Sequence, residues 1–211
     1  DIMDIDAYRR QILAIDTAGN TLVWGEGYCS DGTDSMAVKT FPTPVNLTSN
    51  GYGTYYNEKI NNPVSVVRGK NHNLILDKYG DVWGFGSNSN YPMGSLSPKV
   101  RAATKMEDIS NVKQVAAGAE FSVFLKEDGT IWGTGKSDKQ QVSVEVMKDP
   151  IYIGYPMPIT DKNDFISVAA GEDFVAAIAS DGVYTWGGNS DGQLGINSTA
   201  YSGSMSKVSF D

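Results

Sequence analysis

Two residue types that carry much of protein chemistry are nearly absent from this chain: its 211 residues include one cysteine, Cys29, and one histidine, His72. A single cysteine excludes an internal disulfide and a thiolate metal cluster, and it leaves the redox compartment unread. Cys29 sits in the polar stretch GYCSDG with no cationic neighbour to lower its pKa, so it reads as a small loop residue rather than a reactive thiol. Positive charge is also scarce, with 17 basic against 25 acidic residues and a net charge of −8. That balance repels a phosphate backbone and argues against nucleic-acid binding. No apolar run approaches the ~20 residues that a bilayer span needs. Helical periodicity is missing as well: eight prolines, 23 glycines and short β-branched runs favour strands, and no segment keeps a period of 3.6. The 40% hydrophobic content suffices for a core. The chain opens DIMDID, without an initiator methionine or an apolar signal core, and is expected to be processed or cut from something longer.

What is present is one phrase used four times: a hydrophobic strand, a glycine turn, and an aromatic strand closing on glycine. It reads ILAIDTAGNTLVWG, LILDKYGDVWGFG, VFLKEDGTIWGTG and AAIASDGVYTWG. The closing glycines are Gly25, Gly86, Gly135 and Gly187, at intervals of 61, 49 and 52 residues, about one small antiparallel sheet per copy. A copy of this size cannot bury its own faces and must stack on its neighbours. Hairpins are expected at Gly19, Gly80, Gly129 and Gly182, since glycine accepts the positive φ that such turns need. A strand ending in glycine precedes three of them: VSVVRG, VKQVAAG and FISVAAG. The first copy has no glycine where Tyr8 stands and is expected to lack that opening strand. The second strands are apolar on both faces, as in a sheet sandwiched between two others, so Leu13, Ile15, Leu74, Leu76, Val123, Leu125, Ala176 and Ile178 are expected to be buried.

His72 stands three residues after Gly69, where the sister copies place Phe121 and Phe174. A slot that accepts phenylalanine is a packing slot, so His72 is read as structural and not as a general base or metal ligand. Trp24, Trp83, Trp132 and Trp186 are read in the same way, as large rings filling space between sheets. The acidic turns CSDGTDS and GNSDG do not reproduce the spacing of a calcium loop. No serine–histidine–carboxylate set, paired carboxylates or phosphate-cradling glycine loop emerges. No catalytic residue, metal or cofactor is therefore expected.

The fourth copy, with AAGEDF, ASDGVYTWG and GNSDGQLG in that order, resembles the regulator-of-chromosome-condensation repeat. Copies two and three depart from it, replacing the tryptophan of W-G by Phe85 and Thr134 and losing the GQLG turn. The resemblance runs from about Ile12 to Gly195. It implies an all-β fold: a β-propeller of four-stranded antiparallel blades, in a family whose rings hold about seven. Four repeats make a partial ring, and an open ring leaves an apolar blade face and unpaired strand edges in water. The expected organisation is one partial propeller over 1–211, with hairpin repeats near 12–25, 64–94, 112–135 and 165–195 and loop insertions at 39–63 and 145–164. The tail after Gly195 ends in KVSF, read as the start of another blade, and the chain is expected to be either a fragment of a longer protein or one part of a ring completed by another chain, such as a second copy of this one.

Differences between copies concentrate in the two insertions, whose Tyr52, Tyr55, Tyr56, Tyr152 and Tyr155 stand among small polar residues and prolines. A tyrosine ring offers much contact area for little lost entropy, so these five are the candidate binding residues. The resemblance implies a noncatalytic recognition propeller with a protein partner, as in exchange factors for a small nuclear GTPase or inhibitors of β-lactamases, without identifying the partner. A carbohydrate-binding module, or a propeller enzyme with its site on one face of the ring, is the alternative. Richness in Asn, Ser, Gly and Tyr points to a secreted or surface-displayed bacterial protein, with the cytoplasm as the other option. The sequons at Asn46 and Asn197 do not decide between them.

Overall fold

A computed structural model describes residues 1–27, 37–45, 47–49, 54–56, 60–142 and 151–210. Cys29, the acidic turn beginning there, Tyr52 and Met147 lie outside the described residues. All regular structure is β, in four consecutive sheets. Blade 1 holds β1 (Ile2–Tyr8), β2 (Gln11–Asp16), β3 (Thr21–Gly27) and β4 (Ala37–Pro44). After β5 (Leu47–Ser49) and β6 (Thr54–Tyr56), blade 2 holds β7 (Pro63–Arg68), β8 (His72–Asp77), β9 (Val82–Ser87) and β10 (Lys99–Lys105). Blade 3 holds β11 (Val112–Ala117), β12 (Phe121–Lys126), β13 (Ile131–Lys136) and β14 (Tyr152–Pro158). Blade 4 holds β15 (Phe165–Ala170), β16 (Phe174–Ala179), β17 (Gly182–Gly187) and β18 (Ser202–Lys207). Each blade is an antiparallel meander in chain order, and the opening strands β1, β7, β11 and β15 lie side by side. The four form an unclosed row of propeller blades.

Several expectations need correction. The first copy does have its opening strand: β1 pairs with β2 from Ile2↔Asp16 to Tyr8↔Gln11. Glycine is required at Gly118 and Gly171 because the ring three residues later folds over it, and a Cβ there would lie 1.9 Å and 2.0 Å from Phe121 and Phe174. Gln11 occupies that place in blade 1 and turns its Oε1 to Arg68, 2.5 Å away, so the position holds Tyr8 without a glycine. The two insertions are also not simply loops. Residues 39–44 belong to β4 and 152–158 are β14, the outer strands of their blades, where prolines 156 and 158 are tolerated because the edge has no further partner. The rest of the first insertion contributes β5 and β6, which join the outer edge of blade 2 through a parallel Ala103↔Leu47 bridge and make that sheet six-stranded. The tail after Gly195 forms β18 and completes blade 4, with Val208 N–H donating to Val183, so KVSF begins no new blade.

The first three hairpins share one construction. In blade 3, Lys126 N–H donates to Thr130 and Gly129 N–H to Lys126, a three-residue loop with glycine at φ 80°. A Cβ on Gly129 would stand 2.2 Å from the Asn163 carbonyl oxygen of the next blade. Gly129→Ala is therefore expected to lower stability by more than the ~1–2 kcal/mol of a left-handed alanine, read from the urea midpoint. The fourth hairpin is one residue shorter, with Ala179 paired directly to Gly182.

Strand alternation gives each blade a forward face toward the next blade and a rear face toward the last. Leu13, Ile15 and Val23 of blade 1 bury against Val66 and Ile75 of blade 2, and Leu74, Leu76 and Val82 bury against Val115 and Phe124 of blade 3. Val123, Leu125 and Ile131 then bury against Val168, Val175, Ala177 and Trp186 of blade 4. Ala176 and Ile178 depart from expectation: Ala176 is only partly covered and Ile178 is 48% exposed. They occupy the forward face of blade 4, against which no further blade packs among the described residues. The junctions also carry polar ties, since Asp4 and Asp6 accept from the N–H groups of Val66 and Arg68, and the Gln114 side chain both donates to and accepts from the Val168 backbone.

Candidate recognition surface

The turns between first and second strands come together at one end of the blades. Their tips are Arg9-Arg10, Lys70-Asn71, Ala119-Glu120 and Glu172-Asp173, placed in equivalent positions by the strand registers. A backbone seam joins three of them, Lys70 N–H donating to Ala119 and Ala119 N–H to Glu172, both at 2.9 Å. Charge changes steadily along this row, from two arginines at blade 1 to two carboxylates at blade 4. Between blades 1 and 2 a recess of about 510 Å³ carries Arg9, Arg10 and Lys70 on its walls. Between blades 3 and 4 a recess of about 560 Å³ carries Glu120, Asp138, Glu172, Asp173 and Asp191 with Lys70 and Lys136.

Both lysines of the acidic recess are engaged. Lys136 lies 3.1 Å from Asp138 and 3.6 Å from Glu120, and Lys70 lies 3.6 Å from Glu120. The bond to Asp138 raises the Lys136 pKa above the ordinary lysine value. Burial opposes ionisation of Asp138, but the bonds from Lys136 and Gln141 and the charges of Lys136 and Lys139 outweigh it and hold its pKa low. Glu172 and Asp173 have no cationic side chain within salt-bridge distance among the described residues. Tyr8, whose pKa is raised first by burial and then by the charge of Glu172, lies within the field of blade 4. Fixed carboxylates around a recess of this size can take up a lysine or arginine side chain from a partner.

His72 lies beneath this surface, 1% exposed, with Nε2 3.1 Å from Ser122 Oγ. Burial, then the neighbouring Arg68 charge, drives its pKa down to about 3, so it is a neutral packing residue as its place in the repeat predicts. Arg68 itself is buried and reaches Asn73 Oδ1 at 2.6 Å, the Gln11 carbonyl at 2.8 Å and the Tyr8 carbonyl at 3.0 Å.

Of the tyrosines singled out in the sequence, the four within the described residues lie elsewhere, on the outer edges of blades 2 and 3. Tyr152 and Tyr155 stand on β14, 45% and 55% exposed, and Tyr55 and Tyr56 belong to β6, their side chains outside the described set. Beside β14 is Tyr91, 44% exposed and held at φ 60°, whose ring packs against Gly154. Its position in a drifted copy of the GQLG turn hid it. No cluster of His, Cys, Asp or Glu able to hold a metal occurs among the described residues, and no helix is long and apolar enough to cross a membrane.

The model for the regulator of chromosome condensation (RCC1) repeat matches residues 112–141 and 165–193, the cores of blades 3 and 4. No curated protein sequence matches the chain. Among solved structures, the chain is similar to yeast RCC1 (Prp20) in a structure bound to Kap60, with 22% identity, a TM-score of 0.80, and coverage of 99% of this chain and 49% of that one. Prp20p from Saccharomyces cerevisiae, in a structure described with its binding to Gsp1p and histones, gives 21% identity and a TM-score of 0.76 over 99% of this chain and 50% of that one. Human WBSCR16 gives 18% identity and a TM-score of 0.74 over 98% and 51%. The chain thus spans about half the length of the propellers it matches. Two of its four repeats match the RCC1 repeat model, and its blades form the all-β propeller fold of those structures.

Proposed function

We propose that this chain is a noncatalytic recognition propeller whose turn-bearing end binds a protein through a cationic segment. The observation that carries the reading is the recess between blades 3 and 4, where five carboxylates face two lysines that are already paired. The net charge of −8 adds a field that draws a basic partner and speeds its encounter. The partners named for the Prp20 structures are proteins too, which supports the class of ligand without supplying its identity.

The test is titration of the full chain with an arginine-rich peptide at low and physiological salt. Binding is expected to weaken about five- to tenfold in Asp138→Asn/Asp191→Asn and to fall with added salt, as exposed charge pairs do. If the peptide binds the double variant as tightly as wild type, the recess is not the site. The exposed tyrosines favour a second reading, a carbohydrate platform on the rim. A glycan-array signal abolished by Tyr152→Ala/Tyr155→Ala would select it.

A further inference from the structure

The open faces at the two ends of the blade row are matched halves of a junction that the molecule already contains. At the junction of blades 3 and 4, Trp186 is fully buried and its indole Nε1 donates to the Gln141 carbonyl at 2.9 Å, in the outer turn of the preceding blade. Thr134, at the same place in blade 3, has Oγ1 2.9 Å from the Tyr91 carbonyl of blade 2 and 2.8 Å from the Ile153 carbonyl of its own blade, its one proton shared between them. Trp24 occupies this place in blade 1, on a rear face that no blade covers among the described residues, and is only partly buried. Gln193 occupies the place of Gln141 in blade 4, five residues after Gly188 as Gln141 stands five after Lys136. We propose that the chain associates head to tail with a second copy of itself, the rear face of blade 1 seating on the forward face of its neighbour's blade 4 so that Trp24 Nε1 donates to the Gln193 carbonyl.

The cross-strand registers carry the match beyond that one bond. On the rear face of blade 1, the rows Ile5–Ala14–Leu22 and Ile12–Trp24 correspond to Val168–Ala177–Tyr184 and Val175–Trp186 of blade 4. In blade 4 these rows are largely buried against blade 3, whereas Ile5 is 55% exposed. On the forward face of blade 4, Ser167–Ile178–Val183 and Ala169–Ala176–Thr185 correspond to Gln114–Leu125–Ile131 and Ala116–Val123–Gly133 of blade 3. A head-to-tail contact therefore sets against each other two surfaces built like the pair that already packs inside the chain. Two open apolar faces on one molecule are an expected association surface.

Charge favours the same partner. Continued by one step, the seam in which Lys70 donates to Ala119 and Ala119 to Glu172 would place Glu172 N–H at the Arg9 carbonyl of the second copy. Glu172 and Asp173 would then meet Arg9 and Arg10, opposite in sign, whereas two blade-1 ends or two blade-4 ends would repel. Such a contact is heterologous, so it closes into a ring when the rotation allows and otherwise extends as an open chain. Two copies supply about the length of one of the propeller chains that this chain matches. The proposal is tested apart from the cationic-partner reading, because its readout is association without any peptide and Trp24 and Arg9 lie outside the acidic recess, although Glu172 belongs to both surfaces.

The experiment is light scattering of the full chain from about 1 to about 100 µM, a range that covers contacts of micromolar strength. The expected result is an apparent mass of twice 22.7 kDa at the upper end. Trp24→Glu should weaken association at least tenfold while leaving the circular-dichroism spectrum unchanged, because Trp24 belongs to no buried cluster within one copy. Arg9→Glu and Glu172→Arg should each weaken it about fivefold, and an equimolar mixture of the two should recover much of the loss, since either junction of a mixed pair joins opposite charges. A larger assembly that Trp24→Glu dissolves supports the same contact in its open form. A monomer throughout the range overturns the proposal. A dimer indifferent to Trp24→Glu, or a mixture that recovers nothing, also overturns it.

Discussion

Leu125→Ala is expected to destabilise the chain by about 2–5 kcal/mol, whereas Ile178→Ala, the same position one blade later, is expected to cost under about 1 kcal/mol. Leu125 is fully buried in the junction of blades 3 and 4, among Val123, Ile131, Val168 and Ala177. Truncation there removes the transfer free energy of the lost carbons and leaves a cavity that two rigid sheets cannot close. Ile178 projects from the forward face of blade 4 and is already 48% exposed, so its truncation removes less burial and opens no enclosed cavity. Urea denaturation compares the two, at a concentration low enough for single copies. Equal losses would contradict the account of a face covered in one blade and open in the next.

That pair also shows what the sequence can and cannot disclose. The repeat phrase, its hairpin glycines and its doubly apolar second strands are local, and each determines a structural feature within about 14 residues of itself. They therefore read correctly in blades 2 and 3, where β8 and most of β12 are buried on both faces. Burial of Ala176 and Ile178 depends on a neighbouring blade, and a periodic pattern copied from repeat to repeat contains no signal for the end of the row. Tyr8 misled for a related reason. Glycine at that position answers to the ring three residues later, and Gln11 in place of phenylalanine removes the requirement. The registry of the turn tips was likewise hidden. Arg9-Arg10, Lys70-Asn71, Ala119-Glu120 and Glu172-Asp173 are far apart in sequence, and only stacking sets them in a row whose charge changes sign. Tyrosine content directed attention instead to the rim, because composition reports which residues are adhesive and not which of them converge. The histidine slot, by contrast, was legible: comparison with Phe121 and Phe174 is a comparison of equivalent environments.

That environment has a pH consequence. His72, with its pKa driven from 6.5 to about 3 by burial and by the Arg68 charge, stays neutral in the folded chain where the unfolded chain would protonate it. The folded-state value is the depressed one, so unfolding takes up a proton between these limits. Stability should therefore be flat in this group above pH 6.5 and fall by up to about 1.4 kcal/mol per unit as pH drops toward 3. Carboxylates add a slope of the same sign at lower pH, among them Asp181, pulled to about 2 by its bonds from Tyr184 and Lys162, so the diagnostic window is pH 6.5 to 5. His72→Phe removes the titrating group but leaves Ser122 Oγ buried without its partner, at a cost of about 1–3 kcal/mol at pH 7. The equivalent pair at the next junction is Phe121 with Val175, so His72→Phe/Ser122→Val copies a combination that the molecule already packs. The double variant is expected to regain most of that loss and to lose stability more slowly than wild type between pH 6.5 and 5. Urea midpoints at half-unit steps measure both slopes. Parallel curves would mean that His72 is not the group that titrates on unfolding, and that its burial does not govern the acid limb.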